Sequence, residues 1–334
     1  QDYDESQYVT QSYVSKADQA NKILANDQMY LNALANVAEI YSEPFADSSL
    51  LPTIILSKVA ANDLKVVLGG DGGDELFWGY KRYTAALWWD LINKLRLKFI
   101  VGNISLIFKK ALNLQFFRRF FKTTVYMNIM KFLSLMSATT ALEAYIQVTR
   151  GSLPVMSEHL RVSRVDNRRQ IPKSIEKLTP LTIFRYLDLR YYLPDMVLNK
   201  SDGASMHHGL ELRAPFLSKY LFKELSFYSF ETFLNFRKRK MPLFKLLRQL
   251  KVFDLSHKKR GFTPPLSKIL RTTFKNEIRR FCNEDILKRQ GIFHVADTLS
   301  TINSFLINEN EYSEFVWRFL ILQIWLEKSF EYTD

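Results

Sequence analysis

The sequence predicts an α/β fold in which helices dominate. Residues 64–70, LKVVLGG, are short, β-branched and followed by glycines, which is typical of a buried strand that runs into a loop. Most other segments repeat apolar residues every three or four positions, which is the spacing of helices. The 334 residues are 47% hydrophobic and 24% charged, so the chain can form one large domain or two ordinary ones.

The other elements are predicted from spacing and capping residues. Residues 12–40 have helical spacing, and the loop SEPFADSSLLP offers Ser48 or Ser49 as the cap of a helix that runs to about Ala61. A further helix is predicted to begin at Asp74, because the helix dipole favours carboxylates in the first turn. The remaining predictions are mostly helix over 84–150, a linker or lid over 162–179, loop–helix–loop over 193–217, and an amphipathic helix over 311–328.

Composition excludes several classes of protein. The one cysteine, Cys282, excludes an intramolecular disulfide framework and a multi-cysteine zinc site, and it fits a reducing cytoplasm. The longest apolar stretch, residues 99–108, is shorter than the roughly 20 residues that cross a bilayer. The polar start QDYDES is neither a signal peptide nor a native start, so we expect an interior or C-terminal part of a longer cytoplasmic protein.

The net charge of +13 is distributed unevenly. Residues 91–142 contain nine lysines or arginines and no acidic residue, together with aromatic residues such as Phe116, Phe117, Phe120 and Phe121. This pattern has two functional interpretations, a nucleic acid or an anionic membrane surface. The simpler interpretation is a helical subdomain with solvated charges and an aromatic core. We prefer it because no nucleic-acid-binding signature is present.

Residues 66–83, VVLGGDGGDELFWGYKRY, carry the clearest chemical pattern. Four glycines surround Asp71, namely Gly69, Gly70, Gly72 and Gly73. A strand, then glycines, then a helix often forms a phosphate cradle, although neither GxxxxGK[ST] nor GxGxxG is present. Carboxylates in such a loop repel phosphate unless a divalent cation lies between them, which favours Mg²⁺. The alternative is a tight turn whose aspartates cap the following helix.

Two basic segments lie in the second half of the chain. In SHKKRGFTPPL, residues 256–266, prolines stiffen the backbone, so a lysine could be directed at a fixed anion such as pyrophosphate. The run RKRK at residues 237–240 is predicted to be a solvated basic segment.

Five blocks together resemble the asparagine synthase family. Residues 66–83 are similar to the family signature, roughly V-x-L-S-G-[DE]-G-x-D-E-x-F-x-G-Y. The other four blocks follow the family's order and are DYDES.YV at 2–9, EPFADSSLLPT at 43–53, LPDMVLNKSDGASMHHGLELRAPFL at 193–217 and KRGFTPPL at 259–266.

The resemblance implies a synthetase domain of the ATP-pyrophosphatase type, an incomplete nucleotide α-hydrolase-like parallel sheet with a large helical portion. Such enzymes use ATP and Mg²⁺ to transfer AMP to a carboxylate, typically that of aspartate, and release pyrophosphate. Ammonia then displaces AMP. It comes from glutamine, which an N-terminal amidotransferase domain hydrolyses with a terminal cysteine.

The resemblance also implies roles for individual residues. Asp74 matches the Mg²⁺ ligand, and Glu75 follows it as in the family pattern. Asp71 matches the residue that takes a proton from ammonia, and Lys259 matches the lysine that neutralises the α-phosphate and pyrophosphate. The implied nucleotide and substrate residues are Gly69, Gly70, Gly72, Gly73, Glu43, Asp47 and Ser48, while Glu211 and Arg213 are ligands or a structural ion pair.

The sequence departs from the family pattern at three points. It contains no Ser-Gly dipeptide and so lacks the family's S-G-G-x-D-S phosphate loop; Gly69 replaces a serine, and Gly203 an arginine. We therefore expect an incomplete synthetase, which is either a truncated product or a chain whose missing half comes from a second polypeptide. The isolated chain should show no glutaminase activity and little ATP–pyrophosphate exchange. Its expected parts are a nucleotide-binding part at 1–90, a basic helical insertion and linker at 91–180, and a helical part at 181–334.

Other functions remain open at this point. The acceptor could be a sugar carboxylate of surface-polysaccharide synthesis rather than aspartate. The chain could also be an inactive fragment, or a protein that keeps the fold and binds an anionic partner through its basic face.

Overall fold

The computed structural model describes residues 23–112, 123–149, 156, 159–161, 171–250, 264–307 and 312–331. Several predicted features lie outside these ranges: Lys259, block 2–9, residues 12–22 of the first predicted helix, residues 162–170 of the predicted linker, and the phenylalanines at 116, 117, 120 and 121.

Two short strands form a parallel sheet, which confirms the helix-rich α/β class. Strand β1 (Val66–Leu68) pairs with β2 (Glu211–Arg213), with Val67 opposite Leu212. The prediction that β1 is buried is wrong, because Leu68 is 74% exposed. Within the described ranges β2 is the only strand beside β1, so apolar residues of β1 stay in solvent.

Helices make up most of the described chain. Those before residue 150 are α1 (Asp27–Ala35), α2 (Val37–Ile40), α3 (Leu50–Ala60), α4 (Gly73–Leu76), α5 (Lys81–Lys94), α6 (Lys98–Leu112), α7 (Thr123–Ser137) and α8 (Ala141–Thr149). The later α-helices are α9 (Pro180–Leu187), α10 (Asn199–Met206), α11 (Lys219–Ser226), α12 (Met241–Leu250), α13 (Leu266–Arg271), α14 (Lys275–Phe281), α15 (Glu284–Gln290), α16 (Val295–Ile307) and α17 (Ser313–Glu331). Short 3₁₀ turns cover Lys173–Lys177, Pro215–Leu217 and Phe230–Thr232. The helices predicted near Asp74, over 84–150 and at 311–328 are thus confirmed in the described residues.

The capping prediction was correct in position but not in mechanism. Ser49 is the N-cap residue of α3, yet its hydroxyl makes no capping bond to the helix. Instead, the Asp47 carboxylate accepts from the Ser49 amide at 2.7 Å and also from the Ser49 hydroxyl. The helix start therefore fixes the position of Asp47.

The first hydrophobic core joins the two ends of the described chain. Helices α1–α3 pack with α13–α17, and Phe315, Trp317 and Phe319 of α17 lie fully inside. The indole Nε1 of Trp317 donates to the Ala46 carbonyl at 3.1 Å, which ties α17 to block 43–53. This contact positions one wall of the cavity described below.

The second core lies on the other side of the glycine-rich loop. It includes Leu76 at the end of α4, Phe77 directly after it, residues of α5, α7, α8 and α9, and the fully buried Phe233. The loop between β1 and α4 is therefore held by a packed core on its C-terminal side. The division of the chain at residues 90 and 180 stays a prediction.

A π-helix, Asp188–Leu198, continues directly from α9 and into α10. Pro194 lies inside it, where its missing N–H leaves one helical hydrogen bond unmade. The prediction that 193–217 begins with a loop is wrong, because residues 193–198 are helical. Helical irregularities of this kind are frequent at functional sites. None of the helices in the described ranges has both the length and the apolarity needed to cross a membrane.

Candidate active site at the loop after β1

The glycine-rich loop leaves β1 and folds against the turn that follows β2. The Gly69 amide donates to the Arg213 carbonyl at 2.8 Å, which extends the strand pairing by one residue. Gly72 has a φ of 84°, a conformation that favours glycine, and a Cβ there would overlap the Leu217 side chain. A larger residue is therefore excluded at Gly72 for two independent reasons.

The other glycines of the loop differ in their surroundings. A Cβ at Gly69 would lie 2.9 Å from Leu212, and one at Gly73 would lie 3.2 Å from Phe216. Among the described residues no atom lies within 4 Å of a Cβ built at Gly70. Packing against the segment around β2 thus explains Gly69, Gly72 and Gly73, whereas Gly70 borders open space.

A cavity of about 1070 Å³ lies beside this loop. Its charged lining consists of four acidic residues and one arginine, namely Glu43, Asp71, Asp195, Asp202 and Arg318. The remaining lining residues are Ser42, Pro44, Phe45, Ala46, Met156, Pro194, Met196, Leu198, Asn199, Ser201, Leu212, Ala214, Leu217 and Leu322. Blocks 43–53, 66–83 and 193–217, which are distant in sequence, therefore meet at one cavity. Its size suits a ligand as large as a nucleotide.

Asp71 is held at the cavity wall by Ser201 of α10. The Ser201 Oγ lies 2.7 Å from Asp71 Oδ2 and 2.9 Å from the Val197 carbonyl oxygen. Because a hydroxyl has one proton, donation to the carboxylate competes with donation to the carbonyl. The Ser201 contact leaves Asp71 lone pairs that can accept a proton from a ligand.

Lys200, next to Ser201, links α10 to the loop before α3. Its Nζ lies 2.7 Å from Ser49 Oγ and 3.4 Å from Asp47 Oδ1. The Tyr41 hydroxyl donates to the Lys200 carbonyl at 2.8 Å, and burial together with the nearby Asp47 raises the pKa of Tyr41. Asp47 is thus neutralised within the protein, and the predicted residue Ser48 is half-buried in the same turn.

Asp74 forms an ion pair with Lys240. The Lys240 Nζ lies 2.8 Å from Asp74 Oδ1, and both side chains are largely buried. A Cβ at Gly79 would overlap both partners, so the glycine makes room for the pair. The prediction that residues 237–240 are a solvated run is wrong at Lys240, although Arg237 and Lys238 are exposed. Asp74 does not line the cavity.

Glu75 lies inside the protein rather than on the cavity wall. Its side chain is 1% exposed and accepts a hydrogen bond of 2.6 Å from the Tyr80 hydroxyl. Burial raises the pKa of Glu75, in opposition to the hydrogen bond from Tyr80, which lowers it. Burial and the neighbouring Glu75 also raise the pKa of Tyr80. The catalytic role of Glu75 stays a prediction.

A buried ion pair between Arg82 and Asp188 lies against the Tyr80 ring. The Arg82 guanidinium is 3.8 Å from the Tyr80 ring centroid, and it contacts both carboxylate oxygens of Asp188 at 2.8 Å. The Tyr145 hydroxyl donates to Asp188 Oδ1 at 2.7 Å. Burial lowers the pKa of Arg82, but Asp188 outweighs this effect and raises it above the ordinary value. Sequence patterns did not identify this network, because its members come from α5, α8 and the π-helix.

Glu211 and Arg213 form an ion pair on the surface of β2. Arg213 Nε donates to Glu211 Oε1 at 2.8 Å, and both side chains are more than half exposed. The hydrogen bond from Arg213 lowers the pKa of Glu211. Of the two alternatives that the sequence left open for Glu211 and Arg213, ligands or a structural ion pair, the geometry is that of the ion pair.

The structure brings together only part of the predicted site. Asp71 and Glu43 line the cavity, whereas Asp74 and Glu75 face the protein. The residues at or beside the cavity that were not singled out individually from the sequence include Asp195, Lys200, Ser201 and Asp202, which lie in block 193–217, and Arg318, which lies in α17. The sequence feature that could have pointed to the four residues of block 193–217 was the resemblance of the whole block to the family. The described residues hold no cluster of three or more His, Cys, Asp or Glu side chains that could bind a metal ion by themselves.

Comparison with known proteins matches residues 1–327 to the Asparagine synthase family model. The chain belongs to the asparagine synthase family. It is 22% identical over 318 residues to asparagine synthetase (glutamine-hydrolyzing) 1 of Bacillus subtilis, a match that covers 91% of this chain and 47% of the relative. It is 25% identical over 316 residues to a putative asparagine synthetase (glutamine-hydrolyzing) of Mycobacterium tuberculosis, covering 91% and 45%.

A shorter match is 34% identical over 111 residues to putative asparagine synthetase (glutamine-hydrolyzing) 2 of Methanocaldococcus jannaschii, covering 33% of this chain and 22% of the relative. The chain thus spans about half the length of the first two relatives. No solved structure gives a significant match.

Proposed function

We propose that this chain forms the synthetase part of an ATP-dependent amide-forming ligase. In the first step the carboxylate of aspartate attacks the α-phosphorus of ATP, which forms aspartyl-AMP and releases pyrophosphate. In the second step ammonia attacks the acyl carbon, and AMP leaves with the bonding electrons. One observation carries the proposal: three family-like sequence blocks meet at a cavity of about 1070 Å³ with Asp71 on its wall.

Asp71 is the proposed proton acceptor of the second step. Ammonium must lose a proton before it can attack, and a carboxylate at the cavity wall can take it. The Ser201 hydroxyl, 2.7 Å from Oδ2, orients the carboxylate. Lys259 is proposed to neutralise the leaving pyrophosphate, as the family resemblance implies.

Mg²⁺ is proposed as the companion of ATP, and when bound it would neutralise charge on the phosphates. It prefers oxygen ligands, and one or two carboxylates plus substrate phosphates are its usual partners in nucleotide sites. Asp202 on the cavity wall fits this donor set, while Asp71 keeps its proposed role as proton acceptor. Asp74, which the resemblance implies as a ligand, fits it only if its carboxylate exchanges Lys240 for the metal ion.

Complete turnover is proposed to need a phosphate loop and an ammonia source from outside these 334 residues, joined to them or on a separate chain. The family's S-G-G-x-D-S loop is absent from this sequence, and the first two relatives are about twice as long as the matched region. Ammonia is proposed to come from glutamine, since these relatives are named as glutamine-hydrolyzing enzymes.

Calorimetric titration with a stable aspartyl-adenylate analogue, in which a sulfamoyl group replaces the phosphate, tests the site without requiring turnover. The wild-type chain should bind the analogue, and Asp71→Asn should weaken binding by roughly tenfold, which corresponds to about 1.4 kcal/mol. Asp63→Asn is the control, because Asp63 is an exposed carboxylate in the turn after α3. Absence of binding, or equal binding by Asp71→Asn, would overturn the proposal. A glucuronyl-adenylate analogue tested in parallel distinguishes a sugar acid from aspartate.

A further inference from the structure

Helix α6 carries a row of large apolar side chains that face away from the protein. Ile100, Ile104 and Ile107 are 56%, 49% and 67% exposed, and Phe108 is 58% exposed. Residues three or four positions apart share one face of a helix, so these four form a continuous stripe. We call them the α6 stripe. Contiguous exposed apolar surface of this kind marks interaction sites in water-soluble domains.

The opposite face of α6 is packed, so the stripe is not an unfinished part of the core. Ser105 is buried, and Val101 packs against the second core. A Cβ built at Gly102 would lie 3.7 Å from the Met136 carbonyl oxygen, which shows how closely α6 approaches α7. The orientation of α6 is therefore fixed by α7, and that orientation presents the stripe outward.

The charge of the sequence segment that contains the stripe indicates the kind of partner. Residues 91–142, which contain α6 and α7, carry nine lysines or arginines and no acidic residue. Lys94 and Arg96, just before α6, are exposed. An apolar helix face inside a purely cationic segment is the pattern of helices that lie on anionic lipid. On such helices the apolar side chains enter the acyl boundary while the cations contact headgroups.

We propose that α6 docks in the plane of an anionic lipid surface through the α6 stripe. The helix has 15 residues, fewer than the roughly 20 that span a bilayer, so it lies in the interface. A second copy is a poorer occupant, because two purely cationic segments repel each other. Nucleic acid is also poorer, because isoleucine neither stacks on bases nor hydrogen-bonds to them.

Vesicle co-sedimentation of the 334-residue chain tests this surface. Phosphatidylcholine vesicles that contain phosphatidylglycerol should bind the chain at least roughly tenfold more tightly than pure phosphatidylcholine vesicles, and added salt should weaken binding. Ile104→Glu/Ile107→Glu should reduce binding by at least roughly tenfold, because it places carboxylates on the surface that contacts the lipid. Ile307→Glu is the matched control, since Ile307 is 83% exposed on α16.

A second measurement does not depend on the folding of the double variant. A solvent-sensitive dye is attached to Ile107→Cys, and its emission should shift to shorter wavelength with anionic vesicles but not with neutral ones. Equal binding to both vesicle types, undiminished binding by the double variant, or an unshifted dye would overturn the proposal. It would also be overturned if the stripe substitutions abolished self-association or binding to a nucleic-acid duplex instead of lipid binding.

Discussion

Replacing Asp188 with leucine should strongly destabilise the protein. The substitution removes the carboxylate that contacts the Arg82 guanidinium at two points and accepts from Tyr145. Asp188 is fully buried and the Arg82 side chain is 13% exposed, so solvent cannot replace the lost partner. Leaving one charge of a buried pair uncompensated typically costs about 3–5 kcal/mol.

The free energy of unfolding is measured by urea titration with tryptophan fluorescence, using the transition that includes α5. Arg82→Met/Asp188→Leu should recover most of the loss, because exchange of a whole buried pair for apolar groups is often close to neutral, or stabilising by roughly 1–4 kcal/mol. Asp90→Asn is the control on the same helix. Its i,i+4 partner Lys94 is 70% exposed, so the pair is worth only about 0.5 kcal/mol.

Two results would refute this reasoning. One is a loss below about 1 kcal/mol for Asp188→Leu, which would mean that the guanidinium finds other compensation. The other is a double variant as unstable as the sum of its single variants, because residues in direct contact should not be additive.

Three further predictions concern other residues. Glu75→Gln should stabilise the protein near neutral pH. Because burial raises the pKa of Glu75, the contribution of Glu75 to stability is fully present below its unfolded-state pKa and is lost as pH rises through its folded-state pKa. The gain in unfolding free energy of the Gln variant, measured by urea titration, should therefore disappear in acid. Cys282, whose pKa burial raises to about 12, should react with Ellman's reagent only after unfolding; fast reaction of the native chain contradicts this. Gly203→Arg should lower the melting temperature, because a Cβ at this position lies 2.8 Å from the Tyr41 ring. Adding Tyr41→Ala should make this decrease in melting temperature smaller. An unchanged melting temperature for Gly203→Arg would exclude the clash.

The glycine-rich loop and its surroundings illustrate what sequence patterns can predict. The β-branched run before Gly69 predicted β1, and the carboxylates after Gly72 predicted the start of α4. Both are local effects of backbone conformation and helix electrostatics, so they can be read within ten residues. Partner elements are harder to predict: the exposure of Leu68 depends on which strands lie beside β1, and local patterns do not contain that information.

The partners of the charged residues depend on contacts between distant parts of the chain. Lys240 pairs with Asp74, a residue far away in sequence, and nothing in RKRK distinguishes its last lysine from the exposed first two residues. Ser201 and Lys200 could have been found, because they lie in a block that the family resemblance had already marked. The sequence therefore located the blocks, whereas the fold was needed to show which side chains face the cavity.

A crystal structure of the chain with the aspartyl-sulfamoyl-adenosine analogue is the most direct test of the proposed site. The analogue should occupy the cavity between the Asp71 loop and α10, with its acyl carbon close to the Asp71 carboxylate and its sulfamoyl group facing Lys259. Density for the analogue elsewhere on the protein, with this cavity empty, would contradict the assignment.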